Sequence, residues 1–241
     1  MENKPQLSHK LLITRSTSPE EISKIISILR EQKGKEKEVL KIISEALSFG
    51  HEFVINILFE EALTYQHMYM NDSSNKKAVN DMEKVILKAS FYVSKYKLTQ
   101  FNSRLFRFMG RISDIRGDYK KSASYYRKSI KFVKLDPEPF RILELEAFLS
   151  FSLIMSGQYS KGYKQAKTTY KKFVSSPAGL KLKKKSYQTW AIWLSGLVIR
   201  TVGAFVDKKV NFDKKETNKW MSLVEKELKS KPKDFSYRLQ E

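Results

Sequence analysis

From Tyr119 onward apolar residues recur at Ala123, Tyr126, Ile130 and Val133, in steps of four, three, four and three. That rhythm draws one stripe along an α-helix, whereas a strand would alternate apolar and polar positions. Just before it stand Gly117-Asp118-Tyr119 and, seven residues earlier, Gly110. Gly110 has no side chain, so a neighbouring helix can approach it closely. A single pair of helices cannot bury its apolar face alone, so the sequence on both sides has to supply further pairs.

The flanks meet that requirement. Ser18-Pro19-Glu20-Glu21 predicts a helix start, with Ser18 and Glu21 as a capping box and Pro19 in the first turn. Ile22, Ile25, Ile26 and Leu29 follow on one stripe, Gly34 ends the helix, and Val39, Leu40, Ile43 and Leu47 mark the next, which Gly50 closes. A second pair is expected over Phe53 to Met70 and Val79 to Tyr96, split by the polar run Asn71 to Asn75. Beyond Val133, Asp136-Pro137 offers a cap and first-turn proline for a helix from about Glu138 to Ser156. Gly157-Gln158-Tyr159 then repeats Gly117-Asp118-Tyr119 at a spacing of 157 − 117 = 40 residues. Tyr159, Tyr163, Ala166, Tyr170 and Phe173 form the partner stripe. A long helix over residues 182–205 and a last one through Trp220, Met221, Val224 and Leu228 complete the pattern.

The segment from Arg104 to Pro137 resembles a tetratricopeptide repeat. Phe106-x2-Met109-Gly110 stands where that family places W-x2-L-G, and Ser122-x3-Tyr126 where it places A-x3-F. Ser113 occupies a position usually held by tyrosine, and Ser122 and Ser129 replace small alanines. The following unit, residues 140–174, is similar in architecture, with Glu146 and Ser150 where an aromatic and a glycine are usual. The resemblance implies an all-α, right-handed superhelical array of antiparallel helix pairs, a TPR-like α-solenoid of about ten helices. Residues 1–17 are expected to be a loose tail, 18–230 one helical repeat domain and 231–241 a C-terminal tail.

Composition narrows the function. Of the 241 residues, 41% are hydrophobic and 12% aromatic, with nine Gly and six Pro, which is the make-up of a folding chain and not of a disordered one. There is no cysteine, which removes disulfides, thiolate metal sites and cysteine nucleophiles. His9, His51 and His67 are the only histidines, and none lies in a metal-ligand spacing. No phosphate-binding glycine loop and no nucleophile elbow is present, so the expectation is a chain that is not an enzyme and needs no metal or cofactor. Nothing near the start has the length of a signal-peptide core, which makes the cytoplasm the expected location. The nearest thing to a membrane span, residues 190–206, contains Arg200, and its unbroken apolar part is about half of what a spanning helix needs.

Two surfaces are candidates for binding. In arrays of this resemblance the first helix of each pair lines the concave side, which implies that Arg104, Arg107, Phe108 and Arg111 face a groove. Steps of three and four stack the three arginines on one face, a fork geometry suited to carboxylates. The next inner helix offers Glu144, Ala147, Phe148, Phe151, Ile154 and Met155, and exposed Phe148 and Phe151 would give the groove an apolar floor. The expected ligand is a partner peptide with acidic groups and apolar anchors. The other reading of the arginines is ordinary solvated charge, or pairing with Asp114 and nearby acids.

The second surface follows from charge. Lys plus Arg is 46 against 26 Asp plus Glu, a net +20. Between Glu146 and Asp207 no acid occurs, while Lys164, Lys167 and Lys171 share a helix face close to Lys181, Lys183, Lys184 and Lys185. Such a strip fits a nucleic-acid backbone, or is a solvated face that keeps the protein soluble. The oligomeric state is left open.

Overall fold

The computed structural model describes residues 17–30, 32, 34–49, 51–135 and 141–175, with scattered positions at 213–215, 218–219 and 222. Among the described residues every regular element is helical: eight α-helices and three short 3-10 turns. The expected ninth helix, over 182–205, and Trp220, Met221, Val224 and Leu228 of the expected tenth fall outside the described residues. So does the Asp136-Pro137 cap. The chain divides into two compact units, Met1–Lys97 and Leu98–Glu241, inside the range read from sequence as one repeat domain.

The first unit holds α1 (Pro19–Arg30), α2 (Glu36–Ala46), α3 (His51–Asn71) and α4 (Lys76–Lys95). The capping box forms as the sequence predicts. The Ser18 N–H donates to Glu21 Oε2 at 2.9 Å, and the Glu21 N–H donates to Ser18 Oγ at 3.3 Å. Asn75 caps α4 by accepting from the Ala78 N–H at 3.0 Å. Ile22, Ile26, Val39, Ile43, Ala46 and Ile57 close a core between α1, α2 and α3. Each of the larger side chains there contributes about 1.5–3 kcal/mol by leaving water.

The second unit holds α5 (Asn102–Ile115), α6 (Tyr119–Phe132), α7 (Arg141–Met155) and α8 (Tyr159–Ser175). Helix α5 packs on α6, α6 on α7 and α7 on α8, the sequential order of stacked helix pairs. The two Gly-x-Tyr turns end α5 and α7 in the same way. Gly117 has φ +78° and Gly157 φ +88°, the left-handed region that glycine adopts at least cost. In the first, the Asp118 N–H bonds to Ser113 O at 2.9 Å and the Gly117 N–H to Asp114 O at 3.0 Å. In the second, Gln158 bonds to Leu153 O at 2.8 Å and Gly157 to Ile154 O at 2.9 Å.

Gly110 is needed for contact. A Cβ there would lie 2.6 Å from Cε1 of Tyr126, whose ring is wholly buried between α5 and α7. Tyr126 in turn stacks on Phe148, with ring centroids 5.2 Å apart. Together with Ala123, Leu145, Leu149 and Leu153 these rings form the core of the unit.

Candidate functional site

Arg104, Arg107 and Arg111 do share a side of α5, but the fold treats them differently. Arg107 is 8% exposed and donates from Nη2 to Glu144 Oε1 on α7 at 2.6 Å. Arg141, one turn before Glu144, donates to the other carboxylate oxygen. Helix α7 therefore supplies a carboxylate that occupies Arg107, where the sequence expectation left this guanidinium facing an open groove. Arg111 is half-buried and lies over the Phe148 ring at 5.6 Å, and Arg107 lies over the same ring at 6.0 Å. Among the described residues Arg111 makes no ion pair, and its buried Nε has no hydrogen-bond partner; the Nε of Arg107 is likewise unmatched. Arg104 is half-buried and takes part in contacts of its own.

The aromatic residues are also sorted by burial. Phe108 and Phe148 are 2% and 6% exposed and belong to the core. Phe151 is half-buried, edge-on to Tyr119 at 5.9 Å, and Met155 beyond it is 41% exposed. Of the apolar residues on this side, Phe151 and Met155 thus reach the surface, while the Arg107 guanidinium lies over the Phe108 ring and those of Arg107 and Arg111 over Phe148.

Burial pushes the Glu144 carboxyl up, but the charges and hydrogen bonds of Arg107 and Arg141 outweigh it and hold Glu144 below the ordinary carboxylate value. The opposite balance holds at Asp114. Asp114 is buried and raised by desolvation, although Ser122, Tyr126, Arg111 and Ser152 all favour its charged form. Its Oδ1 accepts from Ser122 at 2.5 Å and Ser152 at 2.8 Å, and its Oδ2 from the Tyr126 hydroxyl at 2.7 Å. Here Ser122, which stands where alanine is usual, acts together with Ser152. They bring hydroxyls to a carboxylate in the core, where an alanine would have left it without donors. Ser129 similarly donates to Ser103 O at 2.6 Å, and Ser150 to Gly162 O at 2.6 Å.

This network was not foreseen from sequence. Its signal was available in Ser122, at a position where alanine is usual, together with the aspartate three residues before Gly117. Around the face as a whole, the guanidiniums of Arg107, Arg111 and Arg141 meet two carboxylates, Glu144 and Asp114, which leaves positive charge in surplus.

On α8, Lys164 and Lys171 are exposed and Lys167 is half-buried with its ammonium over the Tyr163 ring at 5.0 Å. Lys172 pairs with Glu146 at 2.7 Å. Lys181, Lys183, Lys184 and Lys185 lie outside the described residues, as does the apolar segment 190–206. No helix among the described residues is long and apolar enough to cross a membrane, and no group of His, Asp or Glu there could hold a metal ion.

No protein-family model matches the sequence, nor does any curated protein. A solved structure does. It is described as nearly identical TPR-like repeats of a kinesin light chain from Podosopora anserina, and it aligns with a TM-score of 0.57 at 12% identity, over 88% of this chain and 96% of that one. At this identity the likeness speaks to architecture alone, and with the eight helices among the described residues it makes the fold all-α and TPR-like.

Proposed function

We propose that this helical repeat protein is a non-enzymatic binding scaffold, and that the α5–α7 face of its second unit receives an acidic, apolar-anchored segment of a partner protein. The observation that carries this reading is Arg111. Its guanidinium is held over Phe148, its Nε is buried without a hydrogen-bond partner, and Asp114, whose charged form it favours, accepts from three hydroxyls and makes no ion pair with it. A guanidinium in that position, partly shielded from water, is worth more to an incoming carboxylate than a fully solvated one. Phe151 and Met155 supply apolar contact beside it. In this reading Arg104 and Arg111 meet the ligand, while Arg107, Phe108 and Phe148 fix the geometry.

The test is an immobilised array of peptides combining Asp or Glu with apolar residues, probed with the full chain and with Arg111→Gln and Phe151→Ala. Both substitutions remove the peptides that the unaltered chain retains, with helical content unchanged by circular dichroism. An Arg111→Gln chain that retains the same peptides at the same strength would remove this face from consideration.

A further inference from the structure

Helix α6 carries a second, different surface. One residue on from each member of its apolar stripe stand Lys120, Ser124, Arg127, Lys131 and Lys134, all exposed. The same steps of four, three, four and three apply, so the four bases Lys120, Arg127, Lys131 and Lys134 lie with Ser124 on one line along an exposed side of the helix and its 3-10 extension, about 20 Å long. Lys121 and Lys128, also exposed, flank the line on one side. From Tyr119 to Leu135 there is no acid. None of these six bases makes an ion pair among the described residues.

Uncompensated like charges at three- and four-residue spacing destabilise a helix by a few tenths of a kcal/mol per pair. An ordinary solubilising face would interleave acids, as Asp81 and Lys84 do on α4. Beyond Lys121 and Lys128, the helix turns into an aromatic flank. Tyr125 and Phe132 of α6 both stack on Phe106 of α5, at 6.4 and 5.9 Å, and all three rings are half-buried. The Lys128 ammonium lies over Phe106 at 5.8 Å and over Tyr125 at 5.7 Å.

We infer that α6 binds single-stranded nucleic acid, with the phosphate backbone along the Lys120 to Lys134 line and unstacked bases against the Tyr125–Phe106 flank. A line of point charges with stacking platforms to one side is the arrangement that sequence-tolerant single-strand binding uses. A duplex keeps its bases inside and can engage only the cations. An anionic membrane fits less well, because a membrane-surface helix presents an apolar face to the lipid, and the apolar face of α6 is spent on Gly110, Phe148 and Leu145. When a phosphate draws Lys128 away from the rings, it leaves them to a base.

The experiment titrates the full chain against a fluorescent single-stranded RNA of about a dozen nucleotides, its duplex, heparin and phosphatidylserine vesicles. The single-strand titration is run at about 50 and about 200 mM salt. The quadruple variant Lys120→Gln/Arg127→Gln/Lys131→Gln/Lys134→Gln removes four contacts, each contributing about 0.7 to the single-strand salt slope. The unaltered chain should then lose roughly fifty-fold more affinity than the variant over that salt range. Tyr125→Ala should weaken single-strand binding about tenfold while leaving heparin binding unchanged. Circular dichroism verifies that both variants keep their helices. The proposal falls if the quadruple variant keeps the wild-type salt slope, if Tyr125→Ala weakens heparin as much as RNA, or if the unaltered chain binds the vesicles and not the RNA.

Discussion

Replacing Glu144 with glutamine tests the second unit most severely. The carboxylate is 6% exposed and is shared by Arg107, itself 8% exposed, and by Arg141, whose side chain is 16% exposed. Glutamine keeps the shape but removes the charge, and its amide nitrogen turns a donor toward one of two guanidiniums that need acceptors. Breaking a buried pair from one side costs about 3–5 kcal/mol, because the remaining charge stays buried without compensation. Arg141 is near the surface and can turn to water, so the loss should lie at the lower end, about 3 kcal/mol. At an m-value of about 2 kcal/mol per molar in urea, the midpoint of the transition falls by about 1.5 M with the slope unchanged.

Two further measurements separate this account from a generic packing defect. Glu144 is held below its ordinary value of 4.5, so between its folded and unfolded values the unfolded chain binds more protons. Its contribution is therefore present above pH 4.5 and is lost as pH falls through the lowered folded value, and the gap between wild type and Glu144→Gln narrows in acid. In addition, the double variant Arg107→Met/Glu144→Leu should recover most of the loss, because it removes both charges together. A gap that stays constant with pH, or a double variant as unstable as Glu144→Gln, would refute the reasoning.

Other substitutions probe separate elements. Gly110→Ala places a methyl 2.6 Å from a ring that is pinned by Asp114 and Phe148, and should cost about 1–3 kcal/mol by urea denaturation. Asp114→Ala strands three hydroxyls and should cost about 3 kcal/mol; Asp114→Asn, which still accepts from Ser122 and Ser152, should cost about 1 kcal/mol. Because burial raises Asp114 above its ordinary 3.8, the folded chain binds the extra proton, so this residue lowers stability as pH rises from 3.8 through the raised value. Asp114→Asn should remove that component from a stability–pH profile. Ser18→Ala removes the reciprocal cap of α1 and should cost about 1 kcal/mol, seen as faster amide exchange in the first turn of the helix.

The parts of the fold that were legible in sequence are those set by local chemistry. The Ser18 cap, the Asn75 break and the Gly117 and Gly157 turns each act within a few residues of themselves, and each appears where its spacing places it. Gly110 was legible for a related reason, since a missing side chain inside a helical stripe has few uses besides close approach. What could not be read was the division at Lys97, which depends on how contacts distribute over the whole chain.

The candidate site divides along the same line. That Arg104, Arg107 and Arg111 share a face follows from helix periodicity, and so does the placing of Glu144 on the facing helix. Whether a cation on such a face is open depends on the axial register of α5 against α7, and a shift of one turn, about 5.4 Å, would have set Glu144 opposite Arg104 or Arg111 instead. The register is decided elsewhere, by Tyr126 filling the space over Gly110 and by Ser152 reaching Asp114. These interior contacts leave Arg107 neutralised and Arg111 with its buried Nε unmatched. A change at Gly110 or Ser152 that slid α7 along α5 should therefore alter which arginine Glu144 neutralises, and with it which one the proposed acidic segment would meet.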